Sequence, residues 1–432
     1  MLKYKEFVNT LIENRLYFQD KSILFEGGAY GHLQHPFDDM NLSFLDLEEL
    51  LTLTVTGGFS PDNFMQTKTD GQNIMISWKS GKIIAARNKS HLKNSGQNAL
   101  DIKGVSDLFA GRGDIEIAYN TAMEDLTSSI GALSDKDKQR LFNEGQKFAS
   151  VEIITPITQN TVPYGQNLLV FHGVLSYDSE GNVINEDKAA GREIGKLLKD
   201  ANLEAQKTFF VRGPEDISSK PFPNTAAREK YYRTKLYEVM ETSGCQLTSS
   251  VLDYAIGMGR RVLNQQAEKA GVKIPNIALD GLAKRIADID KSYSIPQIKK
   301  DLGSDSEWYI NLEKKDAKKL KREVFAPLES IFIEIGTELM KNISSTLVAN
   351  PTAAAESMRK EIDSVIKTIR TTGSEEDVAK LEHELTRITS AGGLEALIPS
   401  EGVTFLYKGK LMKYTGIFAP LHQIRSILVY KK

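Results

Sequence analysis

Lys68-Thr69-Asp70-Gly71 places a primary amine one spacer away from a carboxylate, within the run NFMQTKTDGQNIMISWKSGKIIAARN. An amine becomes a nucleophile when neighbouring cations or loss of water favour its uncharged form. Ile74, Ile76 and Trp78 alternate with other residues, Ser80-Gly81 supplies a turn, and KIIAAR follows, so the lysine stands at the entrance of a β-hairpin. The four-residue pattern is short, and most lysines beside a turn are solvated surface groups, so chemistry requires partners elsewhere. Candidates follow in order: Arg87 at the end of the hairpin, Glu152 and Phe171 in two later β-patterned runs, then Glu401, Lys410 and Lys413. Each has a plain alternative. Phe171 reads equally as core, Glu152 and Glu401 as surface acids, Arg87 as the partner of any carboxylate, and Lys408, Lys410 and Lys413 as turn and edge lysines.

The chain that must position them has 432 residues, 41% hydrophobic and 26% charged, with a formal net charge of -2. That length permits two or three domains with their own cores, and the charge balance excludes a global basic field. A single cysteine, Cys245, excludes an internal disulfide framework and suits a reducing compartment. The opening MLKYKEFVNTLIENR reads as an amphipathic helix, unlike a signal peptide, and no apolar run reaches membrane-spanning length. The expectation is a cytoplasmic protein without a membrane partner; oligomeric state is not legible.

Along the chain, residues 1–20 read as a helix. A Gly- and acid-rich segment then carries His32, His35, Asp38 and Asp39. These are metal-ligand types, but their spacing matches no recognised zinc site, and contact with a nucleic-acid substrate through His32 and His35 is the alternative. Ser43 with Asp46 forms a capping-box pattern for a helix that Gly57-Gly58 would end. Helices are expected at 114–127 and 134–148, with Arg112-Gly113-Asp114 as the turn before the first. FASVEIITPI and NLLVFHGVLSYD read as strands and residues 178–182 as a hairpin turn. A helix at 186–200 and a strand at 207–212 follow, and GPEDISSKPFPN reads as a linker. From 225 to 393 the pattern is helical without a fixed repeat, and Gly257-Met258-Gly259 lies mid-helix, a packing feature and not a dinucleotide loop. Residues 401–432 return to β pattern, with EGVTFLY and LMKYTGIF as strands about a turn at Tyr407-Lys408-Gly409-Lys410, and a short helix closes the chain. The fold class expected is α+β, divided as 1–222, 223–396 and 397–432.

Taken as an ordered set, Lys68-x-Asp70-Gly71, Arg87, Glu152, Phe171, Glu401-Gly402 and Lys410/Lys413 resemble the covalent nucleotidyltransferase superfamily of ATP-dependent DNA ligases, RNA ligases and mRNA capping enzymes. The nearest likeness is to phage-type RNA ligases, over residues 25–180 and 400–420. Lys68 to Arg87 and Glu152 to Phe171 are each 19 residues apart, close to the corresponding separations in those ligases. The resemblance implies a nucleotidyltransferase (ATP-grasp-like ligase) core of antiparallel sheets with helices, interrupted by a large all-α insert. It implies that Lys68 attacks the α-phosphate of ATP to give a lysyl-AMP, with Asp70 and Gly71 completing the motif. Arg87 would hold a phosphate, Glu152 a ribose hydroxyl and Phe171 the adenine ring. Glu401 would bind Mg2+ or Mn2+, and Lys413 or Lys410 would meet the α-phosphate. Two departures stand out: Thr67 occupies a position where the ligases often carry glutamate, and the closing lysines are separated by two residues instead of one. Only 19 residues follow Lys413, so no C-terminal OB-fold is expected.

Within the helical segment, Lys314, Lys315, Lys318, Lys319, Lys321 and Arg322 form the densest basic run, with Lys314, Lys318, Lys321 and Arg322 on one helical face. The run could grip nucleic-acid phosphates, or be a solvated face balanced by Glu313, Asp316 and Glu323. The function expected is an ATP-dependent polynucleotide ligase acting on nucleic acid ends, RNA favoured over DNA. The alternatives are an adenylyltransferase of the same core acting on a protein or small molecule, and a catalytically idle binding protein.

Overall fold

The computed structural model describes residues 33–59, 65–69, 71–158, 166–187, 190–191, 193–198, 208–212, 216–344, 351–397, 400–408 and 410–429. The helix expected at 1–20, His32 and Asp70 lie outside the described residues.

Two sheets organise an α+β structure. The first has the order β10-β9-β1-β8, all antiparallel, from β1 (Met65–Lys68), β8 (Asp216–Ile217), β9 (Gly402–Tyr407) and β10 (Lys410–Tyr414). The second runs β3-β2-β4-β5-β6, from β2 (Gln72–Lys79), β3 (Lys82–Ala86), β4 (Lys147–Ile154), β5 (Leu168–Tyr177) and β6 (Val183–Asp187), with β7 (Phe210–Arg212) added parallel to β5. The chain passes from the first sheet to the second through residues 69–71, directly after Lys68.

Local chemistry sets the element boundaries. Helix α1 (Phe44–Thr56) starts at a capping box in which Ser43 and Asp46 satisfy each other's backbone donors, and Gly57 ends it at φ 67. Four short to medium helices then pack on the second sheet: α2 (Lys89–Gly96) on one face through Leu92, and α3 (Ile102–Phe109), α4 (Asp114–Gly131) and α5 (Asp135–Phe142) on the other. The helix expected to run to 148 stops at Asn143, which adopts left-handed geometry, and β4 begins at Lys147. The helix expected from 186 is also shortened, because the turn at 178–182 folds Val183–Asp187 back onto β5.

The helical segment consists of α6 (Thr225–Thr242), α7 (Val251–Ala270), α8 (Asn276–Ile286), α9 (Ile295–Leu302), α10 (Ser306–Asn342), α11 (Pro351–Thr372) and α12 (Glu375–Ser390). After β10, α13 spans Phe418–Val429. Gly257 and Gly259 lie inside α7, where Gly259 meets Ala283 of α8. No helix among the described residues is long and apolar enough to cross a membrane.

Three apolar clusters hold these layers. Met65, Val403, Phe405, Tyr407, Met412 and Tyr414 on one face of the first sheet share a core with α1 and with residues of α6–α10. The segment after residue 225 therefore buries its apolar face directly against the sheet that carries Lys68. A second core lies between the second sheet (Ile74, Ile76, Val151, Phe171) and helices α3–α5. A third joins α11, α12 and α13 with Ile333 of α10. Burial at roughly 25 cal/mol per Å² of apolar surface makes such sheet–helix seams the dominant stabilising term.

Candidate active site

Strand alternation decides which side chains meet. Lys68 lies opposite Gly402, and Gln66 lies opposite Thr404, which lies opposite Lys413. With Met65, Val403, Phe405, Met412 and Tyr414 turned into the core, Gln66, Lys68, Thr404 and Lys413 project from the other face. This face is polar yet enclosed: Gln66, Thr404, Lys413 and Thr415 are each less than a tenth exposed. Thr67, one residue from the lysine, falls on the Met65 side, so the strand turns it away from Lys68.

The Lys68 ammonium forms an ion pair with Glu401, and both side chains are largely shielded, at 19% and 15% exposure. Gly402 makes this approach geometrically possible. Its φ of +143 lies outside the range open to side-chain-bearing residues, and a Cβ there would sit 2.0 Å from the Tyr414 carbonyl oxygen. Glu401 is thereby delivered to the head of β9 beside the end of β1.

The second sheet contributes the other wall. The Gly71 amide donates to Glu152 Oε1 at 2.9 Å, and the Thr69 hydroxyl donates to Glu152 Oε2. His172 Nε2 lies 2.8 Å from Glu152 Oε2 and 3.3 Å from Thr69 Oγ1. A Cβ on Gly71 would stand 2.7 Å from the Ile153 carbonyl oxygen and 2.8 Å from Glu152 Cγ, so only glycine permits the contact. Burial pushes the Glu152 carboxyl up, but the His172 hydrogen bond and charge, the Lys68 charge and the Thr69 hydrogen bond outweigh it and hold the group below its usual range. Lys68, Glu401, Glu152 and His172 thus form one electrostatic unit at the junction of the two sheets.

Phe171 is not part of that unit. It is fully buried in the second core and pairs in register with Val151, whereas Glu152 lies on the opposite face of the sheet. The pairing skips from Ser150–Gly173 to Val151–Phe171, leaving His172 as the extra residue of a bulge. The ring beside Glu152 is consequently the imidazole of His172. The sequence signal was available: one imidazole stands inside the apolar run LLVFHGVL. Gln66, Thr404 and Thr415 were also missed, because isolated threonines and glutamines in strands carry no pattern.

Arg87 follows β3 and donates from its guanidinium to the Asn73 carbonyl oxygen. Its Cζ lies 5.8 Å from the Phe109 ring centroid and 5.6 Å from that of Tyr119, and the Tyr119 hydroxyl donates to the same carbonyl at 3.2 Å. Asn73 pairs in register with Glu152, so Arg87 is anchored at the end of the strand beside it. Arg112, in the turn before α4, brings a second guanidinium to within 5.4 Å of the Phe109 ring centroid.

The two closing lysines separate. Lys410 has the strand parity of Met412 and Tyr414 and is engaged by Asp39 at 2.6 Å, while Lys413 lies on the Lys68 face. His35 does not present its ring to a ligand: it is hydrogen-bonded to Asp38 and Thr415, both at 3.0 Å, and stacked on Phe37. Among the described residues, no group of three or more His, Cys, Asp or Glu side chains is arranged to hold a metal ion. Glu401 offers a single carboxylate, the kind of donor set Mg2+ uses when substrate phosphates and water supply the remainder.

Lys314, Lys315, Lys318, Lys319 and Lys321 are exposed on α10, and Arg322 is half-buried. Lys321 reaches Asp288 at 3.3 Å, Lys319 lies 4.0 Å from Glu323, and Arg322 lies 3.9 Å from Glu384. None of these pairs involves Lys68, Glu401 or Glu152.

No family model matches the chain, and a search of curated proteins finds no match.

Proposed function

We propose that this chain is an ATP-dependent nucleotidyltransferase that adenylylates itself on Lys68 and joins 5′-phosphate to 3′-hydroxyl ends of nucleic acid, RNA favoured over DNA. The observation that carries the reading is the meeting of Lys68 with Glu401 and Glu152, with Lys413 on the same face of the first sheet as Lys68, although the residues come from distant parts of the chain.

In the first step the Lys68 amine, having lost its proton, attacks the α-phosphorus of ATP; a P–N bond forms, the P–O bond to pyrophosphate breaks, and lysyl-AMP results. Glu401 touches the ammonium and is the nearest described proton acceptor. Lys413 supplies positive charge to the phosphate oxygens from a site where little water screens it. Glu152 accepts a ribose hydroxyl, and His172 provides the flat surface for the base that Phe171 cannot reach. In the second step a 5′-phosphate oxygen attacks the adenylyl phosphorus and the Lys68 amine leaves. In the third a 3′-hydroxyl attacks the activated 5′-phosphate and AMP leaves. Arg87, whose planar fork suits phosphate oxygens, holds that end, and the exposed Lys314 and Lys318 of α10 grip phosphates of the nucleic acid. Mg2+ or Mn2+, held through Glu401, would neutralise phosphate charge during transfer.

Intact-mass analysis of the purified protein after incubation with ATP and Mg2+ tests the reading: a gain of one AMP is expected, absent in Lys68→Ala. The adduct should discharge onto 5′-phosphorylated single-stranded RNA or a nicked duplex. Discharge onto a protein or small molecule instead would assign the acceptor to the alternative class, and absence of any adduct would overturn the proposal.

A further inference from the structure

We propose that His35 and Asp38 are positioning residues for Lys413, fixing its ammonium relative to the reacting phosphate; the inference rests on the nucleotidyltransferase reading. Lys413 is 7% exposed. An ammonium that deep requires a compensating carboxylate and a defined orientation. The segment before α1 braces the strand that carries it and brings Asp38 within range of its charge. Gln34 pairs with Met412 in parallel fashion, and its carbonyl accepts the Lys413 backbone N–H at 3.0 Å, setting the start of the segment beside β10 before a single 3-10 turn at Pro36–Asp38.

Within that segment Asp38 is held twice by His35, through the backbone N–H at 3.1 Å and through Nδ1 at 3.0 Å. The other ring nitrogen, Nε2, reaches Thr415 Oγ1 at 3.0 Å, two residues beyond Lys413. The imidazole is therefore a strut between the carboxylate and the strand that carries the lysine. Stacking on buried Phe37, with ring centroids 4.8 Å apart and planes 8° apart, fixes its plane. Burial pushes the Asp38 carboxyl up, while His35 and then Lys413 pull it down, leaving it below its ordinary range. The field of Lys413 is thus felt at Asp38. The neighbouring Asp39 is ion-paired with Lys410. The charge of Asp38 is in turn felt at Glu329 of α10.

The test is the rate of lysyl-AMP formation as a function of ATP concentration. Displacing a charge that acts on the transferred phosphoryl group costs rate more than ground-state binding. Asp38→Asn should lower the maximal rate about tenfold or more, with the half-saturating ATP concentration changed less than about threefold, and Asp38→Glu should recover part of the rate. His35→Gln, which removes the ring strut while keeping a polar side chain, should give the same split. It also carries the test if Asp38→Asn does not remain folded by thermal melting. Wild-type protein without an adduct would defeat the underlying reading. An adduct that forms at an unchanged rate in folded His35→Gln, or a loss confined to ATP half-saturation, would defeat the positioning role alone.

Discussion

The ammonium of Lys68 is held by the carboxylate of Glu401, 333 residues later in the chain, and both groups are more than four-fifths shielded from water. The pair anchors the lysine on the polar face of the first sheet, but attack on phosphorus requires the proton to leave. Adduct formation should therefore vanish in Lys68→Ala and in Lys68→Arg, whose guanidinium keeps its proton. Glu401→Gln should slow it by about 100-fold or more through loss of the charged donor, read by intact mass over time.

Gly402 allows no substitution that keeps the backbone path. At φ +143, with the Tyr414 carbonyl oxygen 2.0 Å from the place a Cβ would occupy, Gly402→Ala must push β9 and β10 apart. Destabilisation of about 2–4 kcal/mol is expected, measured by urea unfolding, with the adduct lost in parallel.

Glu152 links stability to pH. Its carboxyl is depressed in the folded protein, so it contributes stability fully present above the ordinary glutamate range and lost as pH falls through the lowered folded value. Wild-type protein should lose stability across the acidic range more steeply than Glu152→Gln. Near neutrality that variant should be about 1–3 kcal/mol less stable, because Gly71 N–H, Thr69 and His172 lose a charged acceptor. Chemical denaturation repeated between neutral and acidic pH reads both effects.

His172 and Phe171 should separate function from stability. Phe171→Ala empties a fully buried site in the second core and should cost about 3–5 kcal/mol. His172→Ala should change stability much less and raise the ATP concentration needed for half-maximal adduct formation. Thermal melts and an ATP titration of the two variants provide the comparison.

On the proposed reading the α10 lysines act on a different step. Lys314→Glu combined with Lys318→Glu should leave lysyl-AMP formation unchanged and weaken transfer to RNA, with a shallower dependence of binding on salt. Fluorescence anisotropy of a labelled 5′-phosphorylated RNA across a salt series measures it.

Much of the fold was legible because local signals agreed with the global outcome. Ser43, Asp46 and Gly57 bracket α1 through capping chemistry that depends on a few neighbouring residues, and the alternating apolar residues of β2 and β4 predict two-faced strands. The pairing of β1 with β9 was not legible, since register between segments so far apart leaves no periodic trace. Phe171, expected at the adenine ring, is turned into the second core, and the bulge that sets His172 beside Glu152 was not legible because bulges are set by tertiary fit. The destination of the 34–39 segment was hidden for the same reason: His35 and Asp39 meet groups 380 and 371 residues away.

The strand order β10-β9-β1-β8 also constrains how the molecule is made. During synthesis β1 emerges well before its partner β9, because Glu401, the residue just ahead of β9, follows Lys68 by 333 residues, a wait on the order of tens of seconds at ordinary elongation rates. Until then the edge of β1 and the apolar side of its sheet lack their final partners. High contact order of this kind slows folding and exposes pairing edges to other chains. Nascent polypeptides stalled before β9 should therefore depend on chaperones, and the nucleophile should remain without its site until the last strands arrive.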